Sequence, residues 1–342
     1  MTIFKTLLLP FSYCQFAAIL SLFLLQSIAF AQNDLEYNYL KINHQTIERE
    51  GALRYMTFHD HNSLLAPTAP YHEHYYRDPL TNNTEHYNIT SLNAQWYLNS
   101  RTLAYLYLPY ISNERHIENS LNDVMKKSGI GDVIIGGKYY LYNSALYQQS
   151  PAFKQYVLFG VGIKLPSGSY KNFDDQTREI EPTFQPGSGT MDFVLTGDYQ
   201  LQYHHLILQI AANYRINNKN KYTYKFGNQI TAGIEAMYEW SLSSNIGITP
   251  NIALQYTDAN SNELNGKILN GNPTASRSLG TGGQALWSSL GLAVKINRTQ
   301  LQFDYFSPLS ENFVGEQLGY NSRWEIGLRW DFGKGNLLET SR

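Results

Sequence analysis

The sequence predicts an all-β chain, a transmembrane antiparallel β-barrel of the outer-membrane type with about twelve strands. Three observations carry this. Strand-period alternation recurs along most of the chain. The connections between alternating segments sort into tight turns and long loops. Charged residues make up only 16% of the sequence while Tyr, Trp and Phe reach 14%, a balance suited to a surface that meets lipid.

The alternation is clearest near the end of the chain. In YNSRWEIGLRWDF (320–332), Tyr320, Ser322, Trp324, Ile326, Leu328, Trp330 and Phe332 share one parity, and Asn321, Arg323, Glu325, Gly327, Arg329 and Asp331 the other. Successive strand side chains point to opposite faces, so one face is apolar and aromatic and the other charged. The same pattern sets Met191, Phe193, Leu195 and Tyr199 against Asp192, Thr196, Asp198 and Gln200. It sets Leu206, Leu208, Ile210 and Tyr214 against Gln209 and Arg215, and Ile230, Ile234, Tyr238 and Trp240 against Glu235 and Glu239. Weaker runs near 51–59, 87–98, 102–111, 131–142, 154–165, 245–256, 284–296 and 299–306 complete the expected set.

The connections choose between a barrel and a soluble sandwich. Those after even-numbered strands are short, such as Asn99-Ser100 and Asn297-Arg298, whereas those after odd-numbered strands, such as 60–86 and 257–283, are mostly long, with the short NNKNKY (217–222) as the exception. An even strand count with long loops at one end is the outer-membrane pattern, and it places both chain ends in the periplasm. In lipid every backbone amide must pair within the protein, so a spanning sheet must close on itself.

The amino-terminal residues 1–31 carry Lys5, no acid, and an apolar run ending at Ala29-Phe30-Ala31, as a secretory signal peptide does. Cys14, the only cysteine, lies inside this segment, so the mature chain has no thiol for disulfides, metal or catalysis. Removing Lys5 takes the formal charge from −2 to −3, too near neutral to point to nucleic acid. The expected division is signal 1–31, periplasmic segment 32–50, barrel 51–332 and periplasmic tail 333–342.

With the apolar parity facing lipid, the other parity lines the lumen. The expected lumen residues are Asp192, Asp198, Arg215, Glu235, Glu239, Arg323, Glu325 and Arg329, with Lys138 and Lys164 as further basic partners. Such a mixed-charge interior points to internal pairing and a narrow or plugged pore before it points to catalysis. Trp324 and Trp330 are expected at the two ends of the outward face of the last strand.

SGIGDVIIGGKYYLY (128–142), GVGIKLPSGSY (160–170), PTFQPGSGTMDFVLTGDYQ (182–200) and YKFGNQITAG (224–233) resemble, in order and spacing, the outer-membrane proteins grouped with the MetA pathway of phenol degradation. The resemblance covers most of the mature chain. It implies a transporter, with a leaning towards apolar or aromatic compounds that no lumen residue itself shows. It also implies insertion by the barrel-assembly machinery, since the strand ending at Phe332 is similar to the terminal signal of such barrels. Read locally, Pro166-Ser167-Gly168 and Pro186-Gly187-Ser188-Gly189 are turn formers. They bracket a loop with Asp174, Asp175, Arg178, Glu179 and Glu181, either solvated or folded over the pore.

The first long loop is rich in histidine. His59, His61, His72, His74 and His86 are five of the nine in the sequence, and an H-x-H pair in extended chain presents both imidazoles to one side, as zinc or copper requires. His59, His61, His72 and His74 are the candidate metal ligands; a polar surface loop is the plainer reading. His61-Asn62-Ser63 matches the pair used by barrel phospholipases, but a flexible loop does not fix a base against a nucleophile, so no enzyme is expected. No cofactor is expected beyond that divalent metal. The expected function is an outer-membrane channel or transporter for small solutes. The alternative is a non-transporting surface barrel whose His-rich loop binds a metal or a partner.

Overall fold

The computed structural model describes residues 37–53, 56–57, 76–77, 81–117, 124–146, 153–171, 182–269, 281–314 and 317–334. Twelve antiparallel strands close into a barrel. They are β1 (Tyr37–Leu53), β2 (Thr81–Tyr97), β3 (Thr102–Ile117) and β4, in two segments (Val124–Ile130 and Val133–Asn143). Next come β5 (Phe153–Leu165), β6 (Asp192–Tyr203), β7 (Leu206–Ile216) and β8 (Gln229–Tyr238). The last four are β9 (Ile246–Ala259), β10 (Gly283–Ile296), β11 (Thr299–Phe313) and β12 (Gly319–Lys334). Each strand pairs with its sequence neighbours, and β1 closes the ring on β12, for instance Ile42 opposite Leu328. No helix among the described residues is long and apolar enough to cross a membrane, and the sheet leaves no open edge.

The wall separates two solvents. Ile42, Ile135, Val161, Ile210, Ile234, Leu254, Leu301 and Leu328 stand outward and exposed, while Lys41, Gln200, Arg215, Arg323 and Glu325 are buried inside. Aromatics such as Trp96, Phe153, Tyr203, Tyr238, Trp240 and Trp330 ring the turn end of the outer face. This is where amphipathic rings sit at a lipid interface. Two hairpins at that end, after β6 and β10, place His204 and Asn297 at φ of 52° and 55°, the left-handed geometry that matches strand twist.

Three expectations about the wall are corrected. The first strand is Tyr37–Leu53, so residues 37–50 belong to the barrel and not to a periplasmic segment. The cause is that its outward face carries His44, Thr46 and Glu48, which hide the alternation. Their polarity is met in part by neighbours: His44 Nδ1 lies 2.9 Å from Thr90 Oγ1, and Thr46 Oγ1 donates to Asn88 Oδ1 at 2.7 Å. His86 consequently lies on β2, not in the first long loop.

Tyr320, expected outward, is buried inside. A bulge in the β1–β12 ladder between Glu48 and Arg49 reverses the parity, and Tyr320 packs on Trp287 with ring centroids 4.7 Å apart. Finally, 217–222 is not a bare short turn. The loop runs on through Tyr224–Lys225, which pairs with Glu263–Leu264. Tyr224, Phe226 and Leu269, with Tyr170 and Leu264, form a small apolar cap at the loop end.

Candidate functional site in the barrel lumen

The lumen is built in layers by inward side chains. Towards the loop end, Ile47, Tyr87, Ile89, Ile111, Trp287, Phe306 and Tyr320 converge from six strands. Phe184, from the connection between β5 and β6, inserts among them and is 1% exposed. Its ring meets Tyr87 edge-on at 6.4 Å, its carbonyl accepts from Asn113 Nδ2 at 2.9 Å, and the Arg115 guanidinium lies 5.0 Å from its face. Glu85 holds that cation, accepting from Arg115 Nε at 2.6 Å and from the Tyr87 hydroxyl at 2.5 Å. The part of the loop that contains Pro186-Gly187-Ser188-Gly189 therefore folds into the barrel. Asp174, Asp175, Arg178, Glu179 and Glu181 lie outside the described residues.

What pins this segment is a buried network on β4, β5 and β6. Lys164 Nζ donates to Ser188 Oγ at 2.6 Å, lies 3.4 Å from Asp132 Oδ2, and forms an ion pair with Asp192. Asp132 accepts from Ser188 Oγ at 2.6 Å, from Ser188 N at 3.0 Å and from Gly168 N at 2.9 Å. Asp192 accepts from Thr190 Oγ1 at 3.0 Å and from Asn218 N at 2.8 Å. Lys164, Asp132, Ser188 and Asp192 have no exposed surface. A Cβ on Gly187 would stand 2.3 Å from the Gly168 carbonyl oxygen, so only glycine lets the two turns touch. The motifs read locally as turns are thus one lock, with Asp132, Lys164 and Asp192 as its charged centre.

A second polar region lies across the lumen on β8 to β12. Glu235, Ala253, Gln255, Ser289, Gln302, Asp304, Phe306, Arg323 and Glu325 line a small cavity. Asp304 and Glu325 are direct cross-strand partners. Asp304 accepts from Asn251 Nδ2 at 3.0 Å and from Gln302 Nε2 at 2.8 Å. Lys41 Nζ donates to Gln302 Oε1 at 3.1 Å. Arg323 donates to Gln255 Oε1 at 2.9 Å and stacks 3.4 Å from the Phe306 ring centroid. Among the described residues, Glu235 Oε2, Glu325 Oε2 and Arg323 Nε and Nη1 have no hydrogen-bond partner.

The eight lumen residues read from parity fall as follows. Asp192, Arg215, Glu235, Arg323, Glu325 and Arg329 are buried inside. Asp198, on the lumen-facing parity of β6, pairs with Lys138 at 2.8 Å. Glu239 lies half-buried beyond the end of β8, its N–H donating to the His205 carbonyl at 2.8 Å. Arg329 Nε donates to Asp331 Oδ1 at 2.6 Å, and Arg215 Nη2 to Gln229 Oε1 at 2.7 Å. Asp304 was missed, although Gln300, Gln302 and Asp304 alternate with Leu301, Phe303 and Tyr305 and carry the same signal. His59, His61, His72 and His74, like His61-Asn62-Ser63, lie outside the described residues. Among those described, no group of histidines and acids is placed to hold a metal ion.

The family model described as "Putative MetA-pathway of phenol degradation" matches residues 81–307. A solved outer-membrane channel of the COG4313 group from Pseudomonas putida F1 has 14% identity and a TM-score of 0.55, covering 88% of this chain and 99% of that one. The β domain of the Bordetella autotransporter BrkA shows 11% identity and a TM-score of 0.45, over 86% of this chain and 100% of that one. No curated protein matches the sequence.

Proposed function

The chain belongs to the MetA-pathway of phenol degradation family, and on that footing we propose a passive outer-membrane channel for small solutes, apolar and aromatic compounds above all. The tight turns face the periplasm and the long loops the outside. The reading assigns passage without catalysis. The observation that supports it is Phe184, a benzyl group seated among Tyr87, Trp287, Phe306 and Tyr320 in a layer of rings. An aromatic solute entering from the loop end would find the same edge-to-face and cation–π partners once that side chain moves aside. The polar groups below the ring layer supply hydrogen bonds for the rest of the path.

Liposome swelling tests this with two amphoteric solutes of similar size that cross lipid poorly, phenylalanine and glutamine. Proteoliposomes should swell with both, faster with phenylalanine. No permeation of either would sink the channel, and equal rates would sink the aromatic preference.

A further inference from the structure

The cavity under the ring layer holds carboxylate oxygens that the wall around it does not serve. Glu235, Asp304 and Glu325 are 2%, 4% and 1% exposed, and none of them forms an ion pair among the described residues. Asp304 and Glu325 stand directly opposite on β11 and β12, an arrangement of like charges that costs stability. Asp304 is served by Asn251 and Gln302. Glu235 and Glu325 each keep one buried oxygen with no partner among the described residues, and both line the same cavity. A buried carboxylate oxygen left without a donor is expensive.

We propose that this cavity is a binding station for a small monovalent ammonium cation, held between the free oxygens of Glu235 and Glu325 beside the face of Phe306. The acids are not placed to chelate a bare metal ion. An ammonium head is larger, carries several N–H donors and can bridge two carboxylates. The cavity already shows how a cation sits there, since the Arg323 guanidinium carbon lies over the Phe306 ring, 3.4 Å from its centroid, and 5.5 Å from that of Trp287. The two positive groups nearest, Lys41 and Arg323, donate to Gln302 and Gln255, while Arg323 Nε and Nη1, like the glutamate oxygens, have no hydrogen-bond partner among the described residues. Glu235 and Glu325 each keep an acceptor that no donor of the wall reaches among the described residues, and a cation rich in N–H groups supplies donors for both. The proposal extends the channel reading, because such a cation arrives through the lumen, but its test does not depend on conduction.

The indole Nε1–H of Trp287, buried beside Arg323, is the reporter. Its resonance in the refolded barrel in micelles is assigned with Trp287→Phe. Methylammonium chloride is titrated at constant ionic strength against choline chloride, whose bulkier headgroup does not fit. A saturable shift is expected in the natural sequence, with affinity falling about tenfold or more in the double variant Glu235→Gln and Glu325→Gln. Heat-modifiable gel migration shows that the variant is folded. No saturable shift in the natural sequence, or an equal one in the folded variant, would overturn the proposal. Failure of the liposome assay would instead overturn the channel and leave this result standing.

Discussion

Two buried polar clusters face each other across the lumen, and they differ in how completely their charges are met. At Lys164 each charge has a partner: the ammonium has Asp132, Asp192 and Ser188, and the carboxylates collect backbone and side-chain donors besides. At Glu235 and Glu325 one oxygen of each is unserved among the described residues, and Asp304 stands opposite Glu325. A filled network of this kind fixes geometry, here the insertion of residues 182–190. A network with vacant acceptors stores its unsatisfied interactions for something that comes and goes.

Removing one partner from each cluster should affect the two very differently. Lys164→Ala would leave Asp132 and Asp192 buried against each other and should destabilise the refolded barrel by about 3–5 kcal/mol, read from urea titration of heat-modifiable migration. On the outer wall, Leu328→Arg places a charge in lipid and should cost about 2–4 kcal/mol near the midplane. Gln209→Arg, on the lumen parity of β7, should be much milder. Gly187→Ala forces a methyl against the Gly168 carbonyl and should cost about 1–3 kcal/mol, with a rise in protease cleavage between β5 and β6 as the segment detaches. Glu325→Gln should have the smallest effect, within about 1 kcal/mol of neutral and towards stabilisation, because it removes a like-charge opposition. A loss from Glu325→Gln as large as that from Lys164→Ala would erase the distinction between the clusters.

What could be read from the sequence tracks how local the determinant is. The wall from β5 to β12 was legible because lipid imposes apolar residues on one parity, and Arg323, Glu325 and Glu235 followed from that parity. β1 was not legible, since His44, Thr46 and Glu48 face outward and the alternation contrasts polar with polar. Tyr320 was misassigned because a one-residue bulge reverses the faces without altering composition. The lock was visible only as fragments: KLPSG and QPGSG read as turns, SGIGD as the start of a family-like stretch, and nothing local tells that Asp132, Lys164 and Ser188 meet. The vacancy at Glu235 and Glu325 needed the cross-strand register, which places Asp304 against Glu325.

Single-channel conductance in planar bilayers, natural sequence against Phe184→Ala, reads whether the inserted segment closes the lumen. If the inserted segment closes a channel at the ring layer, deleting that ring while the Lys164 lock stays intact should raise unitary conductance several-fold. Identical conductance in the two proteins, or none in either, would contradict the account.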